Sequence, residues 1–140
     1  MLIGRYDQNI DAKGRVNIPS KFRADLGETF VVAVGKEKCV HIYPQSEWNK
    51  YVERINQQPP KIATMLMRHL SNTMMECSLD TQGRAVIPPK IREYADLEKE
   101  IVVLGQDSKV EIWSLDNWNG YEKETINTEE MYDLLESLGM

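Results

Sequence analysis

Apolar and polar positions alternate from Tyr6 to Ile10 and again over Val16-Asn-Ile18, the period of two expected of strands with one buried face. Between them lies Asp11-Ala-Lys-Gly14, a turn in which the Asp side chain can accept from a backbone amide two residues on and Gly14 can take a positive φ. Pro19 removes a ladder donor and stops the strand. Ser20 is expected to cap a short helix that buries Phe22 and Leu26, one turn apart. Phe30–Val34 and Val40–Tyr43 are β-rich runs joined by Gly35-Lys-Glu-Lys38, which predicts a hairpin. Trp48, Tyr51, Val52 and Ile55 recur at helical spacing, so a helix is expected from Pro44 through about Ile55. Gln57-Gln-Pro-Pro60 reads as a linker. Beyond it, Ile62, Met65, Leu66, His69 and Leu70 form a helical stripe that predicts a buried face, with His69 as a hydrogen-bonded core histidine. Thr128 is expected to cap a last helix ending at Gly139.

The same pattern occurs twice. Asp11-Ala-Lys-Gly-Arg-Val-Asn-Ile-Pro-Ser-Lys-Phe-Arg returns as Asp80-Thr-Gln-Gly-Arg-Ala-Val-Ile-Pro-Pro-Lys-Ile-Arg, 69 residues later. A second block follows at an offset of 70: Val31 to Gly35, Val40, Ile42, Trp48, Asn49 and Tyr51 match Ile101 to Gly105, Val110, Ile112, Trp118, Asn119 and Tyr121. The unit is strand, Gly-Arg turn, strand, short helix, hairpin, helix, and Pro88-Pro89 takes the helix-opening position in the second copy. We place the first repeat at residues 5–47, connecting helices at 48–75, the second repeat at 76–119 and an acidic C-terminal helix at 120–140. A copy of about 45 residues is near the limit for folding alone, so two half-units completing one core are expected. No Gly-rich phosphate loop and no long crossover helix suggests a nucleotide-binding sheet. The expected class is mainly β with short helices, the two copies closing one pseudo-two-fold β-barrel.

Composition narrows the partners. Two cysteines, Cys39 and Cys77, are too few for a disulfide framework and fit a cytosolic protein. No apolar run approaches the ~20 residues of a membrane span, and Met1-Leu-Ile-Gly-Arg5 is no signal peptide, so no membrane is expected. The net charge of −5 argues against a polyanion until its distribution is read. Six acids against Lys123 between Glu122 and Met140 carry all of it, and residues 1–121 are balanced. In the first 27 residues Arg5, Lys13, Arg15, Lys21 and Arg23 outnumber Asp7, Asp11 and Asp25. Local sign decides which surface meets a polyanion, so a basic N-terminal face stands.

The two Asp-x-x-Gly-Arg turns are the candidate chemistry. Geometry accounts for Asp11, Gly14, Asp80 and Gly83, because a tight turn needs an acceptor and a residue tolerant of positive φ. It does not account for Arg15 and Arg84. A guanidinium after a rigid turn offers a fork of donors suited to phosphate or to the O6/N7 edge of guanine. Lys13, Lys21 and Arg23 add charge beside Arg15 for phosphate contacts, whereas Gln82 stands where the first copy has Lys13. The first copy is therefore expected to bind anions more strongly.

These motifs, with His41-Ile-Tyr-Pro-Gln-Ser-Glu-Trp-Asn-Lys-Tyr51 and the run from Leu79 to Trp118, resemble the MraZ family of bacterial transcriptional regulators. The likeness covers almost the whole chain, in order, with both repeats. It implies an AbrB-like swapped-hairpin fold in which two units build one barrel. It also implies a sequence-specific double-stranded DNA-binding repressor of the division and cell-wall gene cluster, acting on direct repeats upstream of its own genes and assembling into homo-oligomeric rings. In that family an Asp-x-x-x-Arg motif faces DNA, which places Asp11 with Arg15 and Asp80 with Arg84 there. The chain departs from the family at Gln82, in place of a more basic residue, and in the Met-rich stretch 65–75, in place of one often aromatic.

The remaining residues carry less. Cys39 and His41 alternate on a strand, and His69 and Cys77 would complete a set of four, but the spacing matches no zinc pattern. They are read as packing residues, and no metal or cofactor is expected. Met65, Met67, Met74 and Met75 are read as adaptable packing, and Trp48, Trp118, Tyr51 and Tyr121 as anchors of their helices. The acidic tail reads as a solvated face, or as one that repels nonspecific DNA or packs on a neighbouring subunit. A protein-interaction module of antitoxin type, using that tail, is the alternative function. No nucleophile stands beside a base and histidine is scarce, so an enzyme is not expected. A cytoplasmic, nucleoid-associated location follows from the DNA-binding reading.

Overall fold

A computed structural model describes all residues, Met1–Met140. The first copy builds β1 (Leu2–Asn9), β2 (Arg15–Asn17), α1 (Ser20–Leu26), β3 (Thr29–Val34), β4 (Val40–Pro44) and α2 (Gln45–Asn56). After α3 (Pro60–Thr73), the second builds β5 (Met74–Ser78), β6 (Arg84–Val86), α4 (Pro89–Tyr94), β7 (Glu100–Asp107), β8 (Val110–Ser114) and α5 (Leu115–Thr125), and α6 (Thr128–Ser137) ends the chain. Six strands form one antiparallel sheet in the order β1-β7-β8-β4-β3-β5, and β2 pairs with β6 in a separate ribbon.

That order exchanges strands between the copies. β1 pairs with β7 of the second hairpin, β5 pairs with β3 of the first, and the hairpins meet at β4 and β8. His41 lies opposite Glu111 in this seam, two residues equivalent under the repeat offset of 70.

The expected closed barrel does not form. β1 and β5 are the two ends of the sheet and do not pair. The open side is covered instead by the β2–β6 ribbon and by α1 and α4, whose Val16, Ile18, Phe22, Ala85, Ile87 and Ile91 join one cluster of 19 buried residues. These side chains supply the apolar cover that a closing strand pair would have given, so the sheet stays open without exposing its core. Phe22 is fully buried and meets Tyr6 edge to face at 5.4 Å.

The opposite face of each hairpin is covered by its own helix. Val31 and Ala33 pack under Trp48 of α2, and Val102 and Trp113 under Trp118 of α5. A strand buried on both faces reads as a continuous apolar run, which explains Val31-Val-Ala-Val34 and Ile101-Val-Val-Leu104. Trp48 and Tyr51 of α2 meet Tyr43 of β4 at 5.4 and 5.9 Å, and Trp118 and Tyr121 of α5 meet Trp113 of β8 at 5.3 and 5.1 Å, which anchors the two helices as expected.

Three local expectations are corrected. Ser20 and Thr128 are first helical residues rather than caps. Pro19, with φ −50° and ψ 134°, leads into α1 with no capping side chain, and Asn127 caps α6 by accepting from the Glu130 amide at 3.2 Å. The strongest difference lies in α3, which buries no residue fully: Ile62 is 49% and Met65 62% exposed, and His69 is exposed as well. Only one edge of that helix reaches the sheet, where Leu70 packs beside Trp48. Helical periodicity reports an apolar stripe but not what covers it. No helix is long and apolar enough to cross a membrane.

Candidate nucleic-acid interface

Each Asp-x-x-Gly-Arg turn is built the same way. Asp11 Oδ1 accepts from the amides of Lys13 at 3.0 Å and Arg15 at 2.8 Å, and the Gly14 amide donates to the Asp11 carbonyl at 3.0 Å. Asp80 Oδ1 accepts from Gln82 at 2.9 Å and Arg84 at 2.8 Å, and the Gly83 amide donates to Asp80 at 3.0 Å. Gly14 and Gly83 take φ of 80° and 77°, in the left-handed region that a Cβ disfavours.

The second oxygen of each carboxylate holds the arginine. Asp11 Oδ2 accepts from Arg15 Nε, and Asp80 Oδ2 from Arg84 Nε at 2.8 Å. Both carboxylates are held below their ordinary values, chiefly by the backbone amide of Arg15 or Arg84; desolvation opposes this, and the arginine side chain adds to the lowering. They are therefore anionic at neutral pH and orient their arginines. Neither guanidinium uses its Nη nitrogens on a protein acceptor. Two paired donors on each arginine thus remain for a ligand.

The ribbon brings the two turns together. Val16 lies opposite Ala85, both fully buried, while Arg15 pairs with Val86 and Asn17 with Arg84. Side chains alternate across a strand, so Arg15, Asn17, Arg84 and Val86 share the outward face. Arg15 and Arg84 are diagonal neighbours on it, about 7–8 Å apart by ordinary strand geometry. The copies also clasp each other there, since the Ile18 amide donates to Gly83 at 3.0 Å and the Ile87 amide to Gly14 at 2.8 Å.

Lys13 is exposed at the tip of the first turn and Lys21 on α1. Arg23 sits differently from an open phosphate ligand. Its Nε donates to the Ile18 carbonyl at 2.9 Å and Nη2 to Asn17 Oδ1 at 3.3 Å, and its guanidinium lies where a Cβ on Gly83 would have to be. Arg92, its equivalent in the second copy, lies against Gly14, where a Cβ would approach Nε to 2.6 Å. The last arginine of each repeat therefore packs on the other repeat's turn. Arg92 escaped the sequence reading, although the matched motif end (Lys21-Phe-Arg23, Lys90-Ile-Arg92) singles it out.

Of the four residues weighed for zinc, Cys39 and His41 come together, His69 lies on exposed α3, and Cys77 packs against the main core. Both cysteines are free. Glu111, not foreseen, completes a cluster with Cys39 and His41.

Comparison with known proteins gives one family. The chain matches the family described as "MraZ protein, putative antitoxin-like" twice, over residues 1–68 and 70–134. A Lachnoclostridium phytofermentans protein named Transcriptional regulator MraZ is 43% identical over 143 aligned positions, covering 100% of this chain and 99% of that protein. Proteins of the same name from Halothermothrix orenii and Clostridium tetani are 39% and 38% identical, each aligned over the full length of both chains. The duplicated turn, the strand exchange and these full-length relatives lead to one conclusion: the chain belongs to the MraZ family.

Proposed function

We propose that this protein is a sequence-specific double-stranded DNA-binding transcriptional regulator, with Arg15 and Arg84 as its reading residues. One observation carries the reading: two guanidinium groups, each clamped through Nε by its own aspartate, share one outward face with their Nη donors free. A held guanidinium loses less freedom on binding and offers the bidentate geometry that guanine O6/N7 or a phosphate accepts. Lys13 and Lys21 position phosphates, and Arg23, bonded to the Ile18 carbonyl and to Asn17 Oδ1, contributes its charge beside them. The relatives' name, Transcriptional regulator MraZ, supports the same function.

The finer reading follows the family likeness. The protein represses its own division and cell-wall gene cluster in the cytoplasm, on the nucleoid. Residues 5–47 and 76–119 act as two AbrB-like swapped-hairpin half-units, a reading the exchange of β1 and β5 supports. Few cations per chain make single-module binding weak, so a homo-oligomeric ring on direct repeats supplies affinity through effective concentration. The exposed stripe of α3 offers apolar surface for such assembly. The test is binding of purified protein to a labelled fragment from upstream of its own gene at several salt concentrations. Affinity for that fragment over scrambled DNA is expected at every salt; equal affinity for both refutes the reading.

A second reading has its own observation. α6 exposes Met131, Tyr132, Leu134 and Leu135 beside its acids, with Leu138 just past its end, apolar surface an antitoxin-type partner protein would cover. Removal of residues 128–140 without effect on DNA binding, together with loss of a co-purifying protein, would favour it.

A further inference from the structure

The seam between the two hairpins carries chemistry that DNA recognition does not use. Cys39 Sγ, His41 and Glu111 present donor atoms that all lie within 4.8 Å of one another, and His41 Nε2 stands 3.4 Å from Glu111 Oε2. Zinc bonds of 2.0–2.3 Å at tetrahedral angles separate donor atoms by roughly 3.3–3.8 Å, so the His–Glu pair already has the required spacing. Cys39 need close on it by only about an ångström.

Three further features prepare these donors. The Tyr43 hydroxyl lies 3.2 Å from His41 Nδ1, so an Nδ1–H donating to it leaves Nε2 as the ligand. Trp113 Nε1 donates to Glu111 Oε1 at 3.1 Å, which occupies one carboxylate oxygen and leaves the other facing His41. Gly35 keeps open the space between the donors, because a Cβ there would lie 2.6 Å from His41 Nε2 and 2.7 Å from Cys39 Sγ. Tyr43 and Trp113 are equivalent residues of the two repeats, as are His41 and Glu111. The repeat symmetry places each ligand beside its orienting partner, and divergence between the copies made the ligand set.

We propose that Cys39, His41 and Glu111 form a three-ligand site for a thiophilic divalent cation, best matched by Zn²⁺, with a fourth position open to water or an exogenous ligand. One thiolate and one carboxylate balance the ion's charge, and the mixed S, N, O set is one zinc accepts. The cation replaces the Cys39 thiol proton and any proton shared between His41 Nε2 and Glu111, which leave to solvent. Burial first, and then the Glu111 charge, push the Cys39 thiol up to about 12, so without metal it is a neutral thiol. Lys109 lies nearby but turns its ammonium to Gln106 at 2.9 Å. Two ligands come from the first copy and one from the second, so the ion bridges the β4–β8 seam.

The test uses the full chain, stripped with a chelator and titrated with Co²⁺ alone, then with Zn²⁺ in competition. One Co²⁺ per chain with a thiolate-to-cobalt charge-transfer band, displaced by Zn²⁺, is the expected result. The band should persist in Cys77→Ser and vanish in Cys39→Ser. Should Cys39→Ser fail to fold, Glu111→Gln and Gly35→Ala carry the test, each expected to weaken binding at least tenfold. Tyr43→Phe, which removes only the orienting hydroxyl, should weaken it by about 10–100-fold. No charge-transfer band in the wild type, a band lost with Cys77 rather than Cys39, or binding indifferent to both Glu111→Gln and Gly35→Ala would overturn the proposal.

Discussion

Replacement of Arg15 by lysine and by alanine separates base reading from charge. Arg15→Lys keeps the cation but loses the planar fork, so a phosphate contact survives it and a bidentate guanine contact does not. The protein should barely notice either change. The Arg15–Asp11 pair is about one-third exposed on both sides, 32% and 36%, and pairs of that kind contribute about 0.2–1 kcal/mol. The turn keeps both amides on Asp11 Oδ1, since neither comes from the arginine side chain. Melting should therefore fall by no more than a few degrees.

Binding should respond much more. A bidentate contact discriminates by about 1–3 kcal/mol, a loss of roughly 5–150-fold in affinity for each engaged module. Anisotropy titrations of the upstream fragment against a scrambled duplex, over a range of salt, read both quantities. Arg15→Ala should lower specific affinity and reduce the salt slope by about one. Arg15→Lys should leave the slope unchanged and still lose the preference for the cognate fragment. Arg84→Ala should act in the same direction but more weakly, because Gln82 replaces the lysine of the first turn. Wild-type preference in Arg15→Lys would reduce the guanidinium to a phosphate contact, and wild-type affinity in Arg15→Ala would remove it from the interface.

Gly83→Ala meets both a φ of 77° and the Arg23 guanidinium, so it should destabilise by about 1–3 kcal/mol in urea titration; unchanged stability would mean that the clasp between repeats is slack. Asp11 and Asp80 have folded-state values below their ordinary 3.8, so their stabilising contribution is complete above that pH and fades as pH falls through the lower folded values. The double variant Asp11→Asn with Asp80→Asn should accordingly flatten the acid limb of stability against pH, and an unchanged limb would contradict the clamped-carboxylate geometry. If a ring engages direct repeats one helical turn apart, inserting about five base pairs between them should cut affinity to that of a single repeat. A full-turn insertion should restore part of it, and affinity blind to the half-turn insertion would leave the ring no role in recognition.

Much of this molecule was legible along the chain because its causes are local. Alternation and turn chemistry place the β3–β4 and β7–β8 hairpins, and Asp with Gly three residues on, directly before the next strand, makes the same turn twice. The repeat itself picked out Arg15 and Arg84, since turn geometry has no use for an arginine. What only the tertiary structure decided involves residues far apart. Strand exchange, the open sheet with its ribbon cover, and the packing of Arg23 and Arg92 on the opposite repeat's glycines all depend on which copy pairs with which. A pattern within one segment cannot encode that choice. α3 shows the limit most plainly, for its stripe from Ile62 to Leu70 has the period of a buried face and is largely exposed. Glu111 joins Cys39 and His41 only because the hairpins meet edge to edge at β4 and β8. An offset of 70 makes His41 and Glu111 equivalent, but only a two-fold axis through the seam makes equivalent residues face each other.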